Sequence, residues 1–276
     1  MTFDRPRVMG VLNVTPDSFF DGARYFEPSV AIAHGVSMAE QGADILDIGG
    51  ESARPGAQPV SLQEELDRVL PIVETLRHQV EVPISIDTSK PEVMREAVAA
   101  GAAMINDVNA LRSPGALTAA AEMGVPVCLM HMQGRPRNMQ YEPSYNNVVE
   151  EVSEFLQARV DAALEAGLRP DQLVLDPGFG FGKTLRHNLE LLNSLDKLVG
   201  LGYPVLAGLS RKSMLGRILK SEDEDRLAGS LTLAILACQQ GAHIIRVHDV
   251  EPTRQALQVL EAAEFEQESE PGRRTA

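Results

Sequence analysis

Eight short apolar runs, each followed by a stretch with helical periodicity, constrain this chain more than any other feature. The runs are RVMGVLNV near the start, DILDIGG at 44–50, PISIDTS at 83–89, AAMINDV at 102–108, PVCLMHM at 126–132, QLVLDPG at 172–178, PVLAGLS at 204–210 and HIIRVHD at 243–249. The intervening segments, such as LQEELDRVLPIVETLRHQV, carry apolar residues at helical spacing with charges between them. Pro83, Pro126 and Pro204 stand ahead of runs, and Gly42, Gly101, Gly124, Gly167 and Gly241 sit near helix ends, so both mark return loops. Eight strand–helix units in 276 residues predict a single-domain (β/α)8 TIM barrel, with an open doubly wound sheet as the alternative. The barrel is expected over residues 1–263. From Glu264 to Ala276 the sequence is polar, ends in PGRRTA and reads as a frayed, disordered tail.

Each run switches from apolar to polar at its C-terminal end, the end at which barrel enzymes keep their chemistry. In order, those ends supply Asn13, Asp47, Asp87, Asn106, His131, Asp176, then Ser210-Arg211-Lys212, and Arg246 with His248. Polar residues do terminate strands for structural reasons alone. That accounts for one or two acids, and poorly for amide, acid and base recurring at nearly every strand. The ends read together as a pocket floor.

The net charge of −14 argues against a nucleic-acid partner, whose affinity rests on a basic surface. An anionic small substrate is still open to the chain, provided a local cluster of cations receives it. Two cysteines occur, Cys128 in VPVCLM and Cys238 in LTLAILAC, and both read as buried small hydrophobes in a reducing compartment. The first residues, MTFDRPRVMG, carry no apolar leader core, and no apolar run approaches membrane-spanning length. The expectation is a cytoplasmic protein with no membrane partner.

One stretch invites a wrong answer. DPGFGFGKT at 176–184 has alternating glycines and closes on Lys-Thr, as a nucleotide phosphate loop does. Such a loop needs Gly five residues before the Gly of its Gly-Lys-Thr, and here that position is Pro177, which has no N–H to offer. The even spacing of Gly178, Gly180 and Gly182 fails the dinucleotide pattern too. Within a barrel the stretch is the loop after the sixth strand. Asp176 is its chemical residue, Phe181 is a candidate wall for a flat ligand, and the glycines let backbone pass close by.

Six motifs in order, GVLNVTPDSFFDG at 10–22, DIGGESARPGA at 47–57, SIDTSKPEV at 85–93, DPGFGFGK at 176–183, GLSRKSMLG at 208–216 and RVHDV at 246–250, resemble the dihydropteroate synthase family. The resemblance runs from about residue 7 to 262. It implies a magnesium-dependent transferase of folate synthesis that joins 6-hydroxymethyl-7,8-dihydropterin diphosphate to p-aminobenzoate and releases diphosphate. It also implies a sulfonamide target and a homodimer.

The residues suit that reaction. A pterin edge offers an amino group beside a ring N–H, two parallel donors that match one carboxylate, and the motif implies Asp176 for it. Asn106 has both a donor and an acceptor for mixed ring positions. Asp87 would lie near other ring nitrogens and steady positive charge on the pterin, and Lys212 would donate to the ring's oxygen or N5 side. Met130 and Phe181 would flank the ring, although plain core packing explains Met130 equally well. The resemblance implies Asn13 as magnesium ligand, and magnesium needs few protein oxygens when phosphate and water supply the rest. Arg246 and His248 alternate along the eighth strand, point to one face and can grip one anion. Arg54 could close over the substrates. Ser210 would be a positioning residue on the p-aminobenzoate side, and Ser18 no more than a positioning residue. The first loop, TPDSFFDGARYF, reads as a lid, in which Phe19 meets the aminobenzoate ring. No covalent nucleophile is needed: stabilising the departing diphosphate favours a dissociative substitution.

One departure stands out. Ala53 occupies a place where the family usually has Thr, so a hydroxyl that could bond substrate is missing. Two other readings compete: a pterin-binding methyltransferase domain, which would leave Arg54, Arg246 and His248 without purpose, and a non-catalytic pterin-binding paralogue, which could have lost Asn13 or Arg54.

Overall fold

The computed structural model describes residues 5–15, 28–54, 56–134, 138–220 and 226–269, with side chains as far as Ala263. Eight parallel strands form one sheet: β1 (Arg7–Asn13), β2 (Ile45–Gly49), β3 (Ile84–Asp87), β4 (Met104–Asp107), β5 (Val127–Met130), β6 (Leu173–Asp176), β7 (Leu206–Ala207) and β8 (Ile244–Val247). Their order is β6-β5-β4-β3-β2-β1-β8-β7. A parallel bridge between Leu175 and Val205, with the Leu175 N–H on the Pro204 carbonyl at 2.8 Å, joins β6 to the approach of β7. The predicted (β/α)8 barrel is therefore the observed fold. The seventh strand, two residues long, is the shortest, and Pro204 just ahead of it has no N–H to give a ladder.

The period of two along each strand separates two cores. Met9, Ile45, Met104, Cys128, Val174, Leu206 and Ile244, from seven of the eight strands, fill the barrel interior. The remaining strand brings the buried Ser85. The alternate residues, such as Val8, Leu46, Ile86, Ile105 and Leu175, face the helices. Two residues beyond the interior layer the same faces carry Asp47, Asn106, Asp176 and Arg246, so the inward face becomes polar toward the C-terminal rim.

The helices are α1 (Pro28–Glu40), α2 (Leu62–Leu76), α3 (Pro91–Ala100), α4 (Ala116–Met123), α5 (Val148–Glu165), α6 (Leu185–Asn193), α7 (Leu195–Val199), α8 (Ser213–Leu219), α9 (Leu227–Gln239) and α10 (Val250–Ser269). Polar caps start several of them: Ser61 Oγ accepts from the Glu64 N–H at 3.2 Å, and Thr184 Oγ1 accepts from the His187 N–H at 3.2 Å. Two strand–helix units carry a second helix, α6 with α7 and α8 with α9. The last helix runs to Ser269, across Glu264, where the sequence was expected to become tail; residues 270–276 lie outside the described residues. Among the described residues no helix is long and apolar enough to cross a membrane.

Candidate active site

The rim is organised by Arg246. Its Nε donates to Asp47 Oδ2 at 2.6 Å and its Nη2 to Asp87 Oδ2 at 2.8 Å, leaving Nη1 outside both bonds. Asp47 Oδ2 also accepts from Asn106 Nδ2 at 2.9 Å, so residues of β2, β3, β4 and β8 form one network. Asp47 is completely buried, and its Oδ1 has no hydrogen-bond partner among the described residues. Burial pushes the Asp87 carboxyl up to about 7, although Arg246 pulls the other way; the neighbouring Asp47, Asp107 and Glu65 add to the rise. Burial works against the Arg246 guanidinium too, but Asp47 and Asp87 outweigh it and hold the cation well above its usual value.

Across the mouth, Asp176 ends β6 and is buried. The Gly178 N–H donates to its Oδ1 at 2.7 Å. Burial raises this carboxyl against the pull of that bond and of Lys212, Arg246 and Lys183. The glycines behind it are sterically required. A Cβ on Gly178, at φ +67°, would lie 1.9 Å from the His131 carbonyl oxygen, and one on Gly182 would lie 2.5 Å from that of Gln133. Gly180 makes room for the Lys212 side chain, whose Cδ a Cβ there would meet at 3.3 Å. Lys212 Nζ sits 4.2 Å from the centroid of the half-buried Phe181 ring. Burial and Arg246 lower this lysine to about 8, against Asp176 and Asp87.

The turn after β7 supports the eighth strand's end. Ser210 Oγ accepts from the His248 N–H at 3.2 Å and lies 3.1 Å from its Nδ1. A hydroxyl that already accepts there can give its proton to Nδ1, which places the imidazole proton on Nε2. Burial, then Arg246, Arg211 and Lys212, lower His248 to about 4, so the ring is neutral at pH 7. Arg211, at φ +55°, turns to Asp249, with Nε on Oδ2 at 2.9 Å.

A second network underlies the loop after β2. Lys90 Nζ bonds Glu51 and Glu65, and Thr88 Oγ1 donates to Glu65 Oε1 at 2.6 Å. Glu51 Oε1 accepts from the Val60 N–H at 3.3 Å, drawing together the two ends of the segment that carries Ala53 and Arg54.

Residues 9–248 match the family described as pterin binding enzyme. The chain is 52% identical to dihydropteroate synthase of Escherichia coli strain K12 over 262 residues, 95% of this chain and 93% of that one. The chain belongs to the dihydropteroate synthase family. Solved structures agree: Xanthomonas albilineans dihydropteroate synthase with 4-aminobenzoic acid superposes with a TM-score of 0.91 at 54% identity, covering 96% of this chain and 95% of that one. The same enzyme in complex with 7,8-dihydropteroate gives a TM-score of 0.87 at 51% identity, with the same coverage.

Against the expectations for a dihydropteroate synthase, the structure brings Asp87, Asn106 and Arg246 into one network and sets Asp176, Phe181 and Lys212 together opposite. Met130 is 3% exposed and packs with Met132, Met139, Val108 and Phe181, so it backs the Phe181 wall. Asn13 ends β1, half-buried and opposite Gly49 in register. Arg54 is exposed on the second loop. Ser210 is buried and turned to His248. Phe19, Ser18, Pro55 and the rest of the first loop from Pro16 to Glu27 lie outside the described residues.

Sequence reading left two residues of this synthase-family site without a role. Asp47 was one polar strand end among eight, and its register, two residues after the interior Ile45, was the signal for an inward carboxylate. Lys183 closes both the false phosphate loop and the DPGFGFGK motif, and neither gives it a role. His131, also a strand-end residue, does not stand open on the rim: it is buried, with its ring edge-on to Phe155 at 4.8 Å between centroids.

Proposed function

We propose that the chain catalyses the dihydropteroate synthase reaction, joining 6-hydroxymethyl-7,8-dihydropterin diphosphate to p-aminobenzoate with loss of diphosphate, and that the rim residues divide the work as follows. Asp176 accepts the paired donors of the pterin edge, Asn106 and Asp87 meet its other nitrogens, and Lys212 donates to the oxygen or N5 side. Phe181, backed by Met130, provides the flat wall. The observation that carries this reading is the pairing of a rotamer-locked, buried Asp176 with a Phe181 ring lying under an ammonium group. That is a slot for a flat, polar-edged heterocycle.

The diphosphate would lie over β1 and β8. Arg246 reaches it through Nη1 while still holding Asp47 and Asp87, and His248 offers Nε2–H as a neutral donor. The cationic cluster expected from the sequence is thus Arg246 and Lys212, with His248 contributing a hydrogen bond in place of a charge. Arg54 would close from the second loop and Phe19 from the first, next to the aminobenzoate.

The donor set fits a magnesium ion held mainly by substrate oxygens and water. Asn13 brings one neutral oxygen, and among the described residues no group of three His, Cys, Asp or Glu is arranged to hold a metal. Magnesium would neutralise charge on the departing diphosphate. The protein's own share is to bind the pterin plane, to keep a carboxylate near the ring as positive charge develops, and to exclude water.

A homodimer is part of the reading. Helix α9, LAGSLTLAILACQ, is mostly apolar and exposes Leu236 at 42%, and α8 exposes Ile218 and Leu219 at 42% and 48%. Both cysteines are free thiols, as suits a cytoplasmic protein.

The test is direct. Purified chain is mixed with the dihydropterin diphosphate, p-aminobenzoate and magnesium, and dihydropteroate is sought by mass. No product from protein that binds the pterin would leave a pterin-binding paralogue. Chelating magnesium should weaken binding of the diphosphate compound and spare the free hydroxymethyl pterin.

A further inference from the structure

Lys183 is a buried lysine that the reaction does not use. It is 3% exposed, and its side chain folds back beneath its own loop. Nζ lies 2.9 Å from the Gly178 carbonyl, 3.1 Å from that of Phe181 and 2.8 Å from His131 Nδ1. An ammonium has three N–H donors, and these are three acceptors. His131 can accept at Nδ1 because burial, with Lys183 beside it, lowers its imidazole to about 2, which leaves the ring neutral with its proton on Nε2.

The acceptors are not arbitrary. Gly178 is the residue whose N–H locks Asp176, and Phe181 is the aromatic wall. A single residue, Gly178, makes both bonds, its carbonyl accepting from Lys183 and its N–H donating to the carboxylate. Asn188 of α6 fixes the rest of the loop, accepting from the Gly180 N–H at 2.7 Å and donating to the Thr184 carbonyl at 2.7 Å. The loop is therefore held at both ends, and Lys183 is the charged member. Its ammonium also lies close enough to Asp176 to pull that carboxyl down.

We propose that Lys183 is a positioning residue for pterin recognition: its ammonium clasps the loop after β6 so that Asp176 and Phe181 are fixed as one unit, and its charge favours the ionised form of Asp176. This deepens the proposed reaction and rests on Asp176 as the pterin acceptor. Burial, then Lys212, lower Lys183 to about 7 against the pull of Asp176, and the other groups near its ammonium are the neutral His131, with Arg112 beyond it, and His187.

A purely structural lysine would matter to stability alone, and the experiment separates the two. Lys183→Met and Lys183→Gln are compared with wild type in pterin affinity, measured with the hydroxymethyl pterin lacking diphosphate, and in the KM values for both substrates. Lys183→Met should bind pterin about tenfold more weakly, the scale of one lost charge-assisted hydrogen bond, and Lys183→Gln by less. The KM for p-aminobenzoate should stay as in wild type. The acid limb of pterin binding should move to higher pH in both, because Asp176 loses a neighbouring cation, and Gln should recover part of the affinity but none of that shift. Combined with Asp176→Asn, the Lys183→Met change should add little. Wild-type affinity, an unshifted acid limb, or effects that simply add to those of Asp176→Asn would overturn the assignment. So would loss of folded protein in both variants, which would make Lys183 a residue of stability. Failure of the wild type itself to bind pterin would instead refute the proposed function.

Discussion

Replacing Arg246 by Met should reveal more than a lost anion contact. In the structure one guanidinium holds two carboxylates, Asp47 with no exposed side-chain surface and Asp87 with 14%. Met keeps much of the side chain's volume and removes the charge, leaving two acids buried together with no cation between them. Breaking a buried ion pair by removing one partner costs about 3–5 kcal/mol. The loss should depend on pH, and the sign follows from Asp87. Its carboxyl sits at about 7 in the folded chain against an ordinary 3.8, so between those values the folded state holds a proton that the unfolded state has released. Stability from this group therefore falls as pH rises through that window. Without Arg246 the carboxyl climbs further, and the fall becomes deeper and extends to higher pH. Urea unfolding followed by circular dichroism should show a small deficit below about 7 and a growing one above it, where wild type has ionised Asp87 and the variant still holds the proton. Calorimetry should also show weaker binding of the hydroxymethyl pterin, because Arg246 places Asp87. A deficit equal at both ends of the pH range would refute the charge argument, and unchanged pterin affinity would refute the placement.

Gly178→Ala should be severe. It combines a left-handed backbone, costing about 1–2 kcal/mol, with overpacking against the His131 carbonyl of about 1–3 kcal/mol. Gly124→Ala, at φ +66° with nothing within 4 Å of its Cβ, should show the backbone part alone, and equal losses at the two sites by urea unfolding would contradict the steric account. The pH profile of kcat/KM for the pterin substrate should rise through about 7 as Asp87 ionises and fall through about 8 as Lys212 loses its proton. Lys212→Met should erase the alkaline limb, and a limb that persists would assign it to another group. Ala53→Thr should leave the fold intact and tighten substrate or shift sulfonamide inhibition by the worth of one hydrogen bond, about 0.5–1.5 kcal/mol. Unaltered kinetics and inhibition would make that position neutral.

The barrel was legible because each parallel strand is short, apolar and followed by a helix of different period, and its strand ends could be read in order. The inward-facing acids were legible for the same reason: Asp87 and Asn106, like Met130 and Asp176, pair in register at neighbouring strand ends. What sequence could not give was who holds whom. Asp47 and Arg246 are 199 residues apart and meet only because the barrel closes β8 onto β1. Phe179 and Phe181 look alike in the sequence, yet one is 1% exposed within the core and the other half-buried under Lys212. Lys183 was hidden by a stronger resemblance, the false phosphate loop, whose lysine would point outward to a ligand. Here it points inward because the left-handed glycines reverse the chain and bring three acceptors over its Nζ.

These particulars resolve how a chain of net charge −14 receives a diphosphate. The pocket is close to balanced. Asp47, Asp87 and Asp176 lie among Lys183, Lys212 and Arg246, and each lysine is lowered by burial while Asp87 and Asp176 are raised by it. Groups poised in this way respond to whatever charge arrives. A diphosphate over Arg246 would favour the charged form of Lys212, and a pterin edge bonded to Asp176 would favour its carboxylate, so each half of the substrate prepares the charge state that the other half needs. On the proposed function the surface can stay acidic, because recognition would rest on this cluster inside the barrel mouth, where charges are little screened, and not on the field of the whole molecule.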